Sequence, residues 1–131
     1  MGLGFVVDMA DLLSPDEEAA LTRRLGAFEV RTRQRVVVAT LPTLRGQAMD
    51  AVVEDLGNRL GLHDGVILVV ALKERQVRLA VGRGARKLLT DAEAKRIVSD
   101  VMVPDLHANR FDKGILKGAD SIMAELSETK A

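Results

Sequence analysis

The residues with the clearest chemical potential are charged side chains in one strand-turn-strand segment, from Asp64 to Asp91. Asp64 precedes an apolar strand and Asp91 opens a helix, and carboxylate oxygens are ligands that Mg²⁺ and Ca²⁺ prefer. Each aspartate also has a structural interpretation. Asp64-Gly65 is a turn signal, and an acid such as Asp91 in the first turn of a helix stabilises the helix dipole.

A glycine-bracketed loop between the two aspartates adds a second kind of chemistry. Arg83 within the loop and Arg86 just after it, together with backbone N–H groups, are typical of a site that binds an anion. The loop matches neither the Walker motif nor the full dinucleotide fingerprint, and its glycines also suit a tight exit from a strand. We therefore predict an anion site at Gly82, Arg83, Gly84 and Arg86, beside a purely structural alternative.

No arrangement for covalent catalysis is visible. Cysteine is absent, which removes a thiol nucleophile, a disulfide framework and cysteine-based zinc sites. His63 and His107 stand alone, without the spacing of a metal-binding pair or a Ser/His/Asp arrangement. The sequence therefore assigns no catalytic residue.

The composition excludes several classes of partner. The 131 residues, 47% of them hydrophobic, are enough for one domain over residues 1–131 with a substantial core. Nineteen basic and nineteen acidic residues cancel, and Trp and Tyr are absent, so we expect no nucleic-acid binding. No apolar run approaches the roughly 20 residues that cross a bilayer. We also recognise no signal peptide, and so expect no membrane span in this chain.

Apolar patterning predicts the strands that position these residues. Val66 to Ala71 is a continuous apolar run, as in a strand buried on both faces, and Gln76 to Val81 alternates, as in a half-buried strand. The four residues between them predict an antiparallel hairpin, the centre and one flank of the sheet. Val36 to Leu41 is a second buried strand. A helix from about Gln47 to Leu60 then makes strand, helix and strand a βαβ unit with parallel strands.

Capping signals mark the helices. Ser14 and Thr90 each precede a helix and have a glutamate three residues later, which predicts a capping box. The helix that follows Thr90 is expected to end at Pro104, and a last helix runs from about Phe111 to Leu126.

Strand order predicts which residues meet. The two parallel strands begin at the end of the sheet where the second strand of the hairpin finishes. Asp64, the loop after Val81 and Asp91 should therefore gather at one rim. The opposite rim should carry Thr40 to Gly46 and the hairpin turn, Lys73 to Arg75. Asp8, which ends a short β-prone segment, could lie at either end.

Nearly the whole chain resembles the TPM domain family, and the matching segments follow one another in the same order. The resemblance rests on VVDMADLLSPDEEAALTRRLGAFE, RQRVVVATLPTLRG, DGVILVVALKERQVRLAVGRGARKLLTDAEAKRIVSDVMVP and FDKGILKGADSI. It implies a three-layer α/β/α sandwich, with a small mixed sheet flanked by helices on both faces. It also implies a periplasmic or membrane-anchored setting in bacteria, divalent-metal binding in some members and phosphatase activity in the plant branch.

The resemblance extends to individual residues. The family's acidic positions fall on Asp8, Asp64 and Asp91, which would then hold Ca²⁺ or Mg²⁺. The family's arginines in the second strand of the hairpin fall on Arg75 and Arg78, and its loop glycines fall on Gly82 and Gly84.

This chain departs from the family pattern in ways that bear on function. Met9 stands where the family often has a second acid, Asp11 where it often has glycine, and the loop from Gly61 to Gly65 is shortened. With no nucleophile–base pair, these departures favour a binding or assembly module near a membrane, with a protein partner of unknown identity. The alternative is a metal-dependent phosphomonoesterase, in which the three aspartates hold the cation and Arg83 or Arg86 contacts the phosphate.

Overall fold

Four strands form one mixed sheet in the order β1-β2-β3-β4. They are Val6–Asp8 (β1), Val36–Leu41 (β2), Val66–Ala71 (β3) and Gln76–Val81 (β4). The first three are mutually parallel, and β4 pairs with β3 in the antiparallel sense. The structure is a computed structural model that describes residues 4–62 and 64–127, so His63 lies outside the described residues. The predicted βαβ unit and hairpin are confirmed, with β3 inside the sheet and β4 at its edge.

The helices lie between and after the strands. They are α1 (Pro15–Thr32), α2 (Met49–Leu60), a 3₁₀ turn (Arg83–Ala85), α3 (Asp91–Arg96), a π-helical segment (Ile97–Met102), α4 (Val103–His107) and α5 (Phe111–Ser127). Both predicted capping boxes form: the Ser14 and Thr90 hydroxyls accept the N–H of the glutamate three residues on, and each glutamate accepts the cap residue's N–H. Among the described residues, no helix is both long and apolar enough to cross a membrane.

The core has two layers because β2 and β3 are buried on both faces. On one face, alternate residues such as Val38 and Leu68 pack with α1 and α5, in a cluster that includes Phe28 and Ile122. On the other face a smaller cluster forms around α2. Its members are Ala39, Ile67 and Val69, with Met49, Val53, Leu56 and Leu60 against them. Helices thus cover both faces of the sheet, which confirms the α/β/α sandwich.

The prediction that Pro104 ends a helix is wrong. The π-helical segment shifts the hydrogen bonding by one residue, so the N–H of Val103 donates to the carbonyl of Val98. Pro104 then falls at the start of α4, where a missing N–H leaves no helical bond unmade. The chain therefore stays helical from Asp91 to His107.

Gly65 provides a test of how tightly the start of β3 packs. A Cβ atom on Gly65 would lie 2.7 Å from the backbone oxygen of Arg35 and 2.8 Å from Cδ2 of Leu62. We expect Gly65→Ala to lower the free energy of unfolding by about 1–3 kcal/mol, because backbone has to move. Urea denaturation measures the change.

The matched control is Gly57→Ala in α2. The Cβ there would make only ordinary contacts, at 3.7 Å or more. The free energy of unfolding of this variant should rise by about 0.5–1 kcal/mol, because alanine has a higher helix propensity than glycine. Equal effects of the two substitutions would contradict the close packing inferred at Gly65.

Candidate functional site

Asp64 and the loop after β4 come together, as the strand order predicts. Asp64 precedes β3, and the register that pairs Val66 with Val81 brings it beside Gly82 and Gly84. The N–H of Gly84 donates to Oδ1 of Asp64 over 3.2 Å. A Cβ atom on Gly84 would lie 3.0 Å from Cβ of Asp64, so the aspartate and the loop backbone are closely packed.

A polar cleft of about 470 Å³ opens at this rim. It is lined by Asp64, Val81, Gly82, Arg83 and Arg86. The Arg86 Nε–H donates to the carbonyl oxygen of Val81 at 3.3 Å, which holds the base of that guanidinium against the strand end. Two exposed guanidinium groups thus face one carboxylate, and the excess of positive charge favours an anion in the cleft.

Asp91 lies outside this cleft. It is the first residue of α3, exposed, and directly follows the Thr90 cap. There it lines a separate groove with residues of β4, among them Val77 and Leu79. Asp91 and Asp64, which strand order was expected to gather at one rim, therefore line different cavities.

Asp8 lies at the opposite end of the sheet. Parallel pairing places it beside Thr40 at the carboxyl end of β2, whereas Asp64 precedes the amino end of β3. A six-residue strand spans roughly 20 Å at about 3.3 Å per residue, so Asp8 and Asp64 cannot hold one ion. The sequence could not decide this, because the link from Asp8 to Ser14 has enough reach for either end.

The carboxylate of Asp8 serves the backbone of the following loop. Oδ1 accepts the N–H of Leu12 at 3.0 Å and the hydroxyl of Thr40 at 2.6 Å. Oδ2 accepts the N–H of Leu13 at 2.9 Å. Both oxygens are therefore engaged in shaping the turn into α1.

The three aspartates do not fit a common metal centre. Within residues 4–62 and 64–127, no group of three or more His, Cys, Asp or Glu side chains is arranged to hold an ion. One carboxylate oxygen of Asp64 already accepts the N–H of Gly84. Calcium ions in proteins take six to eight oxygen ligands, many more than Asp64 can supply. A site for Ca²⁺ or Mg²⁺ would have to be completed by backbone oxygens and water.

Sequence reasoning missed a set of polar contacts at the Asp8 rim. Oε2 of Glu74, in the hairpin turn, accepts the Thr43 hydroxyl at 2.7 Å and the Leu44 N–H at 3.0 Å. The Thr43 bond, more than any other contact, holds the pKa of Glu74 below its usual range. Strand order had placed these two segments at one rim without indicating the bonds between them. A second signal in the sequence is the threonine that interrupts the apolar run of β2, Thr40, which is fully buried and bonds Asp8.

The family arginines of the hairpin also make structural contacts. Arg75 Nη1–H donates to Oδ1 of Asn109 at 2.7 Å, and its guanidinium stacks 5.4 Å from the ring centroid of Phe111. Arg78 forms an ion pair with Asp50 at the start of α2. Both arginines tie the hairpin to neighbouring helices.

The chain belongs to the TPM domain family, whose model matches residues 6–125. The solution NMR structure of the N-terminal domain of a protein from P. gingivalis is similar, with a TM-score of 0.88 and 28% identity, over 93% of this chain and 81% of that one.

Two further solution structures share the fold. The N-terminal domain of the cg2496 protein from Corynebacterium glutamicum has a TM-score of 0.75 and 16% identity, over 100% of this chain and 86% of that one. The BA42 protein from the psychrophilic Bizionia argentinensis has a TM-score of 0.73 and 18% identity, over 88% and 81%. A comparison with curated proteins gives no match.

A buried carboxylate supports the turn between α4 and α5. Asp105 is 4% exposed and accepts hydrogen bonds from Lys117 Nζ at 3.0 Å and Arg110 Nε at 2.9 Å. Lys117 first, and Arg110 next, hold the pKa of Asp105 below its usual range. An acid with a lowered folded pKa stabilises the fold above its unfolded pKa of about 3.9, and this stability is lost as the pH falls through the folded value.

We therefore expect Asp105→Asn to lower the melting temperature at pH 7, because Lys117 and Arg110 lose their charged partner. The difference from the wild type should shrink as the pH falls below about 4, and should vanish at the lower pH at which the folded wild-type carboxylate is protonated. Melting curves between pH 2 and pH 8 measure this. Asp120→Asn, which breaks an exposed ion pair with Arg24, is the control and should change little at any pH. If the melting temperature of Asp105→Asn lies below that of the wild type by the same amount at every pH in this range, the charge of Asp105 does not stabilise the fold.

Proposed function

We propose that this protein is a binding and assembly module that acts near a membrane and uses the cleft at Asp64, Arg83 and Arg86 to bind an anionic group. The observation that supports this proposal is the cleft itself. It combines two exposed guanidinium groups with a loop whose backbone is held by Asp64. Such a site offers bidentate donors to a phosphate or carboxylate.

The cleft favours binding over catalysis for a chemical reason. Covalent catalysis needs a nucleophile within reach of a base that is itself oriented by a third group. Among residues 4–62 and 64–127, those that line the cleft include no Ser, Thr, His, Lys or Tyr, and Asp64 already accepts the Gly84 N–H. These side chains can hold an anion, but they do not form a nucleophile–base pair.

The proposed setting comes from the family. TPM domain proteins include exported and membrane-anchored bacterial members, which supports a periplasmic or membrane-anchored setting for this chain. Two of the similar structures are N-terminal domains of their proteins, so in those proteins the fold is one part of a larger chain. A module that links an anionic group to a further partner suits that arrangement.

Charge reversal in the cleft tests the proposal. Inorganic phosphate, followed by amide shifts, and vesicles with and without an anionic lipid, followed by sedimentation, serve as the two probes. Arg83→Glu should weaken binding of the responsive probe by about tenfold or more, the equivalent of one charged hydrogen bond. Arg23→Glu, an exposed arginine on α1, is the matched control. Equal losses in both variants, or no response to either probe, would refute an anion site in the cleft.

The second candidate function is a metal-dependent phosphomonoesterase. The placement of Asp64 beside Arg83 favours it, since a phosphate and a carboxylate can share a divalent cation. The described carboxylates do not form a three-acid metal centre, so Asp64 is the acid that would hold the cation in the cleft. Ca²⁺ or Mg²⁺ at Asp64 is therefore part of this alternative.

Under the binding role, we expect no hydrolysis of a generic phosphomonoester with Mg²⁺, Ca²⁺ or EDTA. Metal-dependent turnover that Asp64→Asn removes, and the exposed control Asp16→Asn retains, would establish the enzyme instead. A melting-temperature titration with Ca²⁺ tests the metal by itself. Specific binding should stabilise the fold by about 2.7 kcal/mol at a hundredfold excess over Kd, and Asp64→Asn should abolish that gain.

A further inference from the structure

The strand β4 presents an open edge of the sheet. It is the last strand in the order, and the N–H of Gly82 donates to the carbonyl of Gly65 at 2.8 Å. Hydrogen-bonded pairs alternate along an antiparallel ladder, so Val77, Leu79 and Val81 direct their N–H and C=O groups away from β3. The bond from Arg86 to the carbonyl of Val81 independently shows this orientation.

The open groups of β4 lie beside a groove. The groove has a volume of about 820 Å³ and runs between the strand and the helical stretch that begins with α3. It is lined by Val77, Arg78, Leu79, Asp91, Ala94, Lys95, Val98 and Ser99. The residues of its helical wall recur at three- and four-residue intervals, so they belong to one face of the helix.

No hydrogen bond within the described part of the chain uses the outward backbone groups of Val77 or Leu79. The neighbouring apolar side chains form a floor: Leu79 and Ala94 are buried, and Val77 and Val98 are partly exposed. An unpaired edge above an apolar floor is the arrangement in which an extended peptide adds as a strand, with main-chain bonds for affinity and side-chain pockets for specificity.

We propose that an extended, acidic peptide segment of a partner protein adds to β4 as a fifth strand and fills this groove. The proposal names the kind of partner for the binding role proposed above. Its main contacts, Val77, Leu79 and Lys95, lie outside the anion cleft, and the two surfaces meet at Val81 and Arg86.

Charge complementarity favours an acidic segment. The whole chain is neutral, but the stretch from Arg75 to Lys95 contains six basic residues and two acidic ones. Arg78 is neutralised by Asp50. Lys95, on the helical wall, is exposed and makes no ion pair with any described residue. Asp91 is an acid on the same lining, but basic residues outnumber acidic ones along the stretch. The edge as a whole therefore attracts negative charge, and Lys95 is placed to meet it inside the groove.

The same charges oppose a second copy of this chain as the occupant. Two β4 edges paired with each other would bring the basic stretches of both copies together, and like charges across neighbouring strands are destabilising. The Arg86 side chain also covers the carbonyl of Val81, which restricts the end of the edge. A shorter segment that pairs with Val77 and Leu79 avoids both obstacles.

The helical wall includes part of the π-helical segment, Val98 and Ser99. Single-turn π segments in α-helices occur frequently at functional sites. Here the segment continues the wall of α3 past Arg96, so that Val98 lines the same groove as Ala94. The wall consequently extends alongside the open edge.

A displayed library of random ten-residue peptides, selected against the full chain, tests the proposal. We expect the enriched peptides to alternate apolar residues with others and to carry net negative charge. Synthetic versions should shift the amide resonances of Val77 and Leu79. Alternate backbone nitrogens of an extended peptide point to opposite edges, and only one edge pairs with β4. Methylation of the nitrogens on the paired edge should therefore abolish binding, and methylation of those on the other edge should be tolerated.

Matched variants locate the contact. Lys95→Glu should lower the affinity for the selected peptides by about tenfold. Lys113→Glu, which changes an exposed lysine on α5, should leave that affinity unchanged. Arg83→Glu should abolish anion binding in the cleft, whereas the selected peptides should still shift the amide resonances of Val77 and Leu79, so failure of one proposal is distinguishable from failure of the other.

Three results would overturn the peptide proposal. They are no enrichment, enriched peptides without acidic character, and amide shifts that map away from β4. Concentration-dependent dimers in sedimentation velocity that are lost on disrupting the edge with Val77→Pro would assign the groove to a second copy instead.

Discussion

The burial of β2 and β3 on both faces is the constraint on which the rest of the structure depends. Every residue of β3 is buried, and in β2 only the last residue is partly exposed. Burying each valine, isoleucine or leucine contributes about 1.5–3 kcal/mol, provided that backbone groups are paired. The ladders to β2 and β4 satisfy those groups, and α1 and α5 on one face and α2 on the other exclude water. The three layers follow from this requirement.

The parallel pairing of β1, β2 and β3 then divides the polar residues between two rims. At the carboxyl ends of these strands, Asp8 and Glu74 are occupied by the backbone and hydroxyl groups of adjacent loops. Arg75 is bonded to Asn109. These contacts shape the loops that join strands to helices. At the other rim, Asp64 makes one contact to the loop after β4, and the arginines beside it extend into solvent.

Two open surfaces of the molecule thus lie along β4. The cleft is at the end of the strand, the groove is along its edge, and Arg86 contributes to the first while bonding the backbone at the margin of the second. A ligand in the cleft would draw on the Arg86 guanidinium, and a strand added to β4 would approach the same side chain. Binding at the two places is expected to be linked through this arginine, with equal effects in both directions.

Local signals in the sequence determined most of the fold. Continuous and alternating apolar runs identified β2, β3 and β4, since burial on two faces or one imposes those patterns. The serine and threonine caps fixed the starts of α1 and α3, because a capping box uses only neighbouring backbone. The same locality brought Asp64 to the loop after Val81, through a hairpin whose register a short turn sets.

Tertiary structure decided everything that depends on distant segments. The side of β2 on which β1 pairs, and its direction, separate Asp8 from Asp64, and no local signal encodes this choice. The π-helical segment carries the helix through Pro104, because its shifted bonds do not require the missing N–H. The groove that receives Asp91 exists only because a helical face lies alongside the open edge of β4, and so the sequence alone could place Asp91 near Asp64 but could not separate the two cavities.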